Sequence, residues 1–176
     1  YASRPEDPKK TGYKFLGWFE HTPVITSLET DIPGSFVFET TPIAHNTDLY
    51  AQWELLTGLS YTVKYVEAGT NRPLAATKTV DGLTFGTSVK ESPIAIHGYN
   101  PTNPAAVTIN IAETGNEIIF TYTARTDITY TVRYMQYLVN VEIAPAKVVT
   151  NKTYNETVSE KAIDILYYVP FGDTVK

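Results

Sequence analysis

Tyr61-Thr62-Val63-Lys64-Tyr65 returns, 69 residues further on, as Tyr130-Thr131-Val132-Arg133-Tyr134. Held at that shift, the chain aligns on itself without a gap from Tyr61 over Tyr130 to Pro101 over Pro170. Fifteen of the 41 aligned positions are identical, among them Asn71, Lys78, Val80, Glu91, Ile94, Ile96 and Tyr99. Others exchange like for like, including Lys64 over Arg133, Leu74 over Ile143 and Phe85 over Tyr154. So many matches without an insertion mark a duplicated module, and the chain reads as an array rather than one domain.

Within the first copy the apolar residues alternate. Tyr61, Val63 and Tyr65 share one face of a strand, and Thr62 and Lys64 share the other. Val107, Ile109 and Ile111 alternate again, as do Ile118, Phe120 and Tyr122 in a closing strand. Glu113-Thr-Gly-Asn116 reads as the tight turn between these last two runs, since Gly and Asn accept positive φ. Residues 74–80 form a further predicted strand, ended by Asp81-Gly82. Gly86-Thr-Ser-Val-Lys-Glu91 is expected to start a short helix, capped by Thr87 or Ser88 and stopped by Pro93. The module thus reads β-β-(short α)-β-β-β over residues 58–125, and the second copy, 128–176, is expected to lack its two closing strands.

Residues 1–55 follow a different pattern. Gly12-Tyr13-x-Phe15-x-Gly17-Trp18 stands near their start and Leu49-Tyr50-Ala51-x-Trp53 near their end, with Leu56-Thr-Gly58-Leu59 as the joint to the next module. These two motifs resemble the Listeria–Bacteroides repeat, or internalin B-type repeat, without its usual first strand. Tyr61-Thr-Val-Lys-Tyr65, Lys78-Thr-Val80, Gly98-Tyr99 and Ile118-Ile-Phe-Thr-Tyr122 resemble a mucin-binding-protein (MucBP) repeat, and the second copy departs from it at Tyr167, where Gly98 stands in the first. The resemblances span nearly the whole chain. They imply tandem small β-grasp, ubiquitin-like modules, the terminal ones incomplete, from an extracellular, cell-wall-associated protein of a Gram-positive surface. The expected fold class is mostly β, or α+β with the one short helix. No catalytic or ligand set comes with the resemblance.

Composition agrees with that class. The chain has 13 Tyr and 7 Phe against 2 Trp, with Thr, Val and Ile beside them, the mixture that suits half-buried strands. Eleven Pro and ten Gly break it too often for long helices. Cys is absent, which excludes disulfides, thiolate metal sites and a cysteine nucleophile. The net charge is −5 and the basic residues are scattered, so no phosphate-neutralising stripe for nucleic acid exists. No apolar run is long enough for a spanning helix. Tyr1-Ala2-Ser3-Arg4-Pro5 lacks a signal-peptide core, as expected of an excised piece.

Candidate chemistry is sparse. His21, His45 and His97 stand far apart, without the close second ligand a zinc site needs, and they read as isolated loop histidines. Lys10-Thr11-Gly12 matches the K-T-G of penicillin-recognising enzymes, but no S-x-x-K or S-D-N accompanies it. Asn151-Lys-Thr153 and Asn155-Glu-Thr157 are formal glycosylation sequons that read better as turns. Lys64 could be tried for a Lys–Asn isopeptide cross-link, but the second copy has Arg133 there, which cannot form that amide. Trp18 and Trp53 are expected in a core. Tyr137 and Tyr167 replace Ala68 and Gly98 of the first copy, and with Tyr168 they are the better surface candidates for a ligand. The expected function is a non-catalytic spacer, without cofactor or metal, with a possible adhesion role. The alternative is a set of modules that bind host mucin glycans or another extracellular protein. Open strand edges are expected to favour self-association.

Overall fold

The computed structural model of the chain describes residues 3–20 and 34–171. Among the described residues there are ten strands and no helix: β1 (Tyr13–Phe19), β2 (Tyr50–Leu55), β3 (Leu59–Glu67), β4 (Lys78–Leu83), β5 (Ser88–Glu91), β6 (Tyr99–Pro101), β7 (Val107–Asn110), β8 (Glu117–Ala124), β9 (Ile128–Met135) and β10 (Glu142–Lys152). The fold is mostly β. Its backbone packs as two compact units, Tyr1–Lys64 with Thr77–Ser92 and Ala105–Ile119, and Tyr65–Ala76 with Pro93–Pro104 and Phe120–Lys176. The division therefore falls within β3 and β8 and not at the linkers between sequence modules.

In the first unit, β1 and β2 pair antiparallel, with Phe15 opposite Trp53 and Trp18 opposite Ala51. The register slips between Phe15 and Gly17, and Gly17 takes a φ of 137° that a side chain would resist. Phe15 gathers Trp18 and Trp53 at ring-centroid distances of 5.8 and 5.3 Å. Both tryptophans are half-buried, while Phe19 and Phe38 are the fully buried rings of this region. β5 and β7 pair antiparallel from Ser88 opposite Asn110 to Glu91 opposite Val107.

A four-stranded sheet runs in the order β4-β3-β8-β6. Thr62 donates its N–H to Asn116 O at 3.0 Å, and Ala68 donates to Tyr122 O at 2.8 Å. The partners advance together along both strands, so β3 and β8 are parallel neighbours at the centre of the sheet. Their alternate residues Tyr61, Val63 and Tyr65, and Ile118, Phe120 and Tyr122, are all buried. The Tyr65 and Phe120 rings stack at 6.0 Å. Each such side chain withdrawn from water stabilises by about 1.5–3 kcal/mol, which makes this face the core.

Two expectations fail. The segment predicted to start a helix is β5, because its backbone is committed elsewhere. Gly86 turns at a φ of 81°, donates to Ile111 O, and Ile111 N–H in turn reaches Thr87 O. Val89 then pairs opposite Ile109, where a β-branched residue packs well. The strand predicted over 74–80 begins only at Lys78 and continues through Asp81-Gly82 to Leu83. Pro73 makes an isolated bridge to Val66 instead, and Leu74 N–H closes on Tyr65 O.

The duplication is visible in the backbone. Tyr130 opposes Val149 in the β9–β10 pair as Tyr61 opposes Val80 in the β3–β4 pair. Positive-φ residues recur at the 69-residue shift: Gly69 and Leu138, Asn71 and Asn140, Gly82 and Asn151, Gly86 and Asn155, Gly98 and Tyr167. The two sequon asparagines both take the left-handed conformation, which Asn tolerates, but only Asn155 is in a turn as expected; Asn151 lies within β10.

Candidate functional site

Three arrangements stand out: a repeated side-chain triad, a repeated joint and an aromatic cleft. In the triad, Tyr61 and Lys78 both donate to the Glu91 carboxylate. At the shifted positions, Tyr130 and Lys147 donate to Glu160. The bonds from Lys78 and then Tyr61 hold Glu91 below the usual glutamate range, and those from Tyr130 and then Lys147 do the same for Glu160. Each carboxylate is kept ionised between two donors, which pins the β5 segment, or its counterpart around Glu160, to the first two strands. Both carboxylates are occupied by donors from the strands of their own copy, so the triad reads as a structural pin.

The joints share linker and aromatic residues that are 69 residues apart, Leu56 and Arg125, Phe85 and Tyr154, whereas their glycines, Gly12 and Gly98, are not related by that shift. At the first, Leu56 N–H donates to Gly12 O at 2.9 Å and Leu56 O accepts from Phe85 N–H at 2.9 Å. At the second, Arg125 N–H donates to Gly98 O at 2.9 Å and Arg125 O accepts from Tyr154 N–H at 2.8 Å. Both glycines are buried, with φ of 80° and 78°. A Cβ on Gly12 would collide with the Phe85 ring, and one on Gly98 with the Tyr154 ring. Each glycine is followed by a tyrosine, Tyr13 or Tyr99. Gly12 N–H reaches the Glu113 carboxylate at 2.6 Å, and Lys10 Nζ lies 3.9 Å from the centre of the Tyr13 ring. Tyr154 meets His97 and Tyr99 edge-on, and its hydroxyl lies 3.2 Å from His97 Nδ1.

The cleft lies in the second unit and has a volume of about 850 Å³. Tyr134, Met135, Tyr137, Tyr167, Tyr168 and Phe171 line much of it. Tyr137 stacks on Phe171 at 4.2 Å between ring centres. Tyr137, Tyr167 and Tyr168 are 60%, 93% and 43% exposed, so the three surface candidates of the sequence are surface residues gathered at one place. Its openness has a plain origin. β3 is flanked by β4 and β8, whereas among the described residues β9 pairs only with β10. Tyr130, Val132 and Tyr134 are accordingly half-buried, where Tyr61, Val63 and Tyr65 are buried.

The other sequence candidates scatter. Lys64 forms an ion pair with Glu117 at 2.5 Å. His45 is exposed in a loop, His97 belongs to the second joint, and His21 lies outside the described residues. Tyr50 is largely exposed, and Gly17 carries the β1 irregularity. No group of three acidic or histidine side chains among the described residues is placed to hold a metal ion. No described helix is long and apolar enough to cross a membrane. Sequence reasoning missed the joint residues Gly98, Phe85 and Tyr154, although the Gly-Tyr dipeptide in both kinds of module and the Phe85–Tyr154 equivalence were signals. Compared with protein-family models and with curated proteins, the chain matches none.

Proposed function

We propose that the chain is a non-catalytic run of repeat modules from the extracellular, cell-wall-associated part of a Gram-positive surface protein, and that it works as a spacer. Parallel pairing of β3 with β8, the first and last strands of the repeat, carries this reading. A chain that enters along β3 and leaves along a parallel β8 enters and leaves at opposite ends of the pair, so each duplication adds length. Eight or nine residues of strand span about 25–30 Å at roughly 3.3 Å per residue. The strand order, with the two terminal strands parallel at the centre, also supports the β-grasp assignment implied by the MucBP-like motifs. Pulling on the ends of β3 and β8 loads their hydrogen bonds together, in shear. Single-molecule pulling of the whole chain is expected to show a distinct high-force opening of this sheet. Opening at negligible force would overturn the spacer reading.

A second reading has its own observation. The cleft holding Tyr137, Tyr167 and Tyr168 offers exposed ring faces beside Gln136 and Asn140, a surface suited to a sugar or an extended peptide. An array of mucin-type glycans tests it: binding lost on Tyr137→Ala and Tyr167→Ala would move the function from spacer to adhesin.

A further inference from the structure

At both joints two requirements fall on one residue. The turn needs a left-handed φ, and the space where a Cβ would stand is filled by an aromatic ring from the module that follows. Only glycine meets both at no steric cost. Beside the ring, the linker residue bonds backward to the glycine carbonyl and forward to the N–H of the aromatic residue. The linker residue is thereby held through both its N–H and its C=O, unlike a flexible tether, whose backbone bonds to water. The glycines come from two different kinds of module, yet the linker and aromatic residues are related by the same 69-residue shift, Leu56 to Arg125 and Phe85 to Tyr154. An accidental contact would not return with all three parts.

We infer that the Gly-Tyr turn is a receptor for the aromatic residue of the next module, a clamp that sets successive modules in one fixed orientation, and that Tyr167 removes this receptor from the second copy. The inference deepens the spacer reading and takes its use from it. Tyr167 stands at the Gly98 position with Tyr168 at that of Tyr99, and its φ of 69° keeps the same turn. The turn hydrogen bond is also kept, Tyr168 N–H to Ile165 O at 2.9 Å repeating Tyr99 N–H to Ile96 O at 3.1 Å. A phenol side chain now occupies the place where a ring would be received. The clamp is handed on twice and closed at the third turn.

Residual dipolar couplings on the whole chain test the clamp. In the unaltered protein, amides of residues 65–76, 93–104 and 120–124 and those of 128–171, which share the second unit, are expected to fit one alignment tensor. Tyr154→Phe should keep it common, since Phe85 serves at the equivalent place. Tyr154→Ser, which leaves the glycine turn untouched, and Gly98→Tyr, which copies Tyr167, should each split the tensor and lower the order of one part at least twofold. Two tensors in the unaltered chain, or a single one surviving Tyr154→Ser, would overturn the inference. A common tensor together with opening at negligible force would leave the clamp standing and remove the spacer use.

Discussion

The same substitution at equivalent positions of the two copies separates burial from every other property of the repeat. Val63 is 0% exposed on β3, while Val132, 69 residues on, is half-buried on β9. Both oppose a lysine, Lys78 or Lys147, in matching registers. Changing either to Ala lowers strand propensity equally, so the difference between them reports packing. Val63→Ala removes two buried carbons at about 0.8 kcal/mol each, and the cavity adds to that, for a loss of about 2–3 kcal/mol. A small domain holds only about 5–15 kcal/mol, so this is a large share. Val132→Ala is expected to lose less than about 1 kcal/mol, because water already reaches part of the side chain. Urea denaturation combined with amide exchange, read separately at β3 and β9, measures both. Losses equal within about 0.5 kcal/mol, of the order of the scatter for independent sites, would refute the argument that β8 closes one face and leaves the other open.

Two further outcomes follow from individual bonds. Tyr122 is fully buried and donates its hydroxyl to Ile94 O at 2.9 Å, so Tyr122→Phe should cost about 1 kcal/mol, with the loss appearing first as exchange near Ile94. A neutral result would mean that the hydroxyl does not hold that carbonyl. Glu91 and Glu160 have folded-state pKa values below the ordinary glutamate value, from Lys78 and Tyr61 in one case and Tyr130 and Lys147 in the other. Their contribution is therefore present above the unfolded pKa of about 4.3 and is lost as pH falls through the lower folded values. Thermal melts should accordingly decline below about pH 4.3, and Glu91→Gln with Glu160→Gln should flatten that decline; an unchanged acid limb would show that the triads carry no such linkage.

Period-2 alternation made β3, β7 and β8 legible, because one buried face imposes a strict pattern of apolar residues. Where the pattern is set by the backbone, the reading went astray. Gly86-Thr-Ser-Val-Lys-Glu91 has capping residues that suit a helix start, but Gly86 and Ile111 hydrogen bonds, distant in sequence, draw it into a strand. Residues 74–77 look strand-like, yet Pro73 and a late register leave them outside the ladder. The surface tyrosines were found by comparing copies, since a bulky residue replacing Ala68 or Gly98 must point somewhere the first copy has no side chain. The joints were missed for the converse reason: their essential residue is a glycine, whose contribution is an empty space, and a sequence displays no contact for it.

That comparison of copies also bears on how the two proposed uses, spacing and adhesion, would be divided along the chain. The second copy keeps the turns of the first but replaces Gly69, Gly82, Gly86 and Gly98 with Leu138, Asn151, Asn155 and Tyr167, all at positive φ. Asn adopts that conformation readily; Leu and Tyr do so at roughly 1 kcal/mol or more each. Both costly residues are turned to solvent, Leu138 at 86% exposure and Tyr167 at 93%, and both line the cleft. A neutral drift from glycine would place such residues at any turn, whereas here both meet at the same concave aromatic surface. Strain gathered at a site is a reason to look for what the site gains by it. The clamp requires a bare glycine at this turn and a ligand surface requires a side chain there, so one position cannot serve both. Position 98 keeps the glycine and is clamped; position 167 has given it up. On this argument the two proposed uses are alternatives at each module rather than rivals for the whole chain.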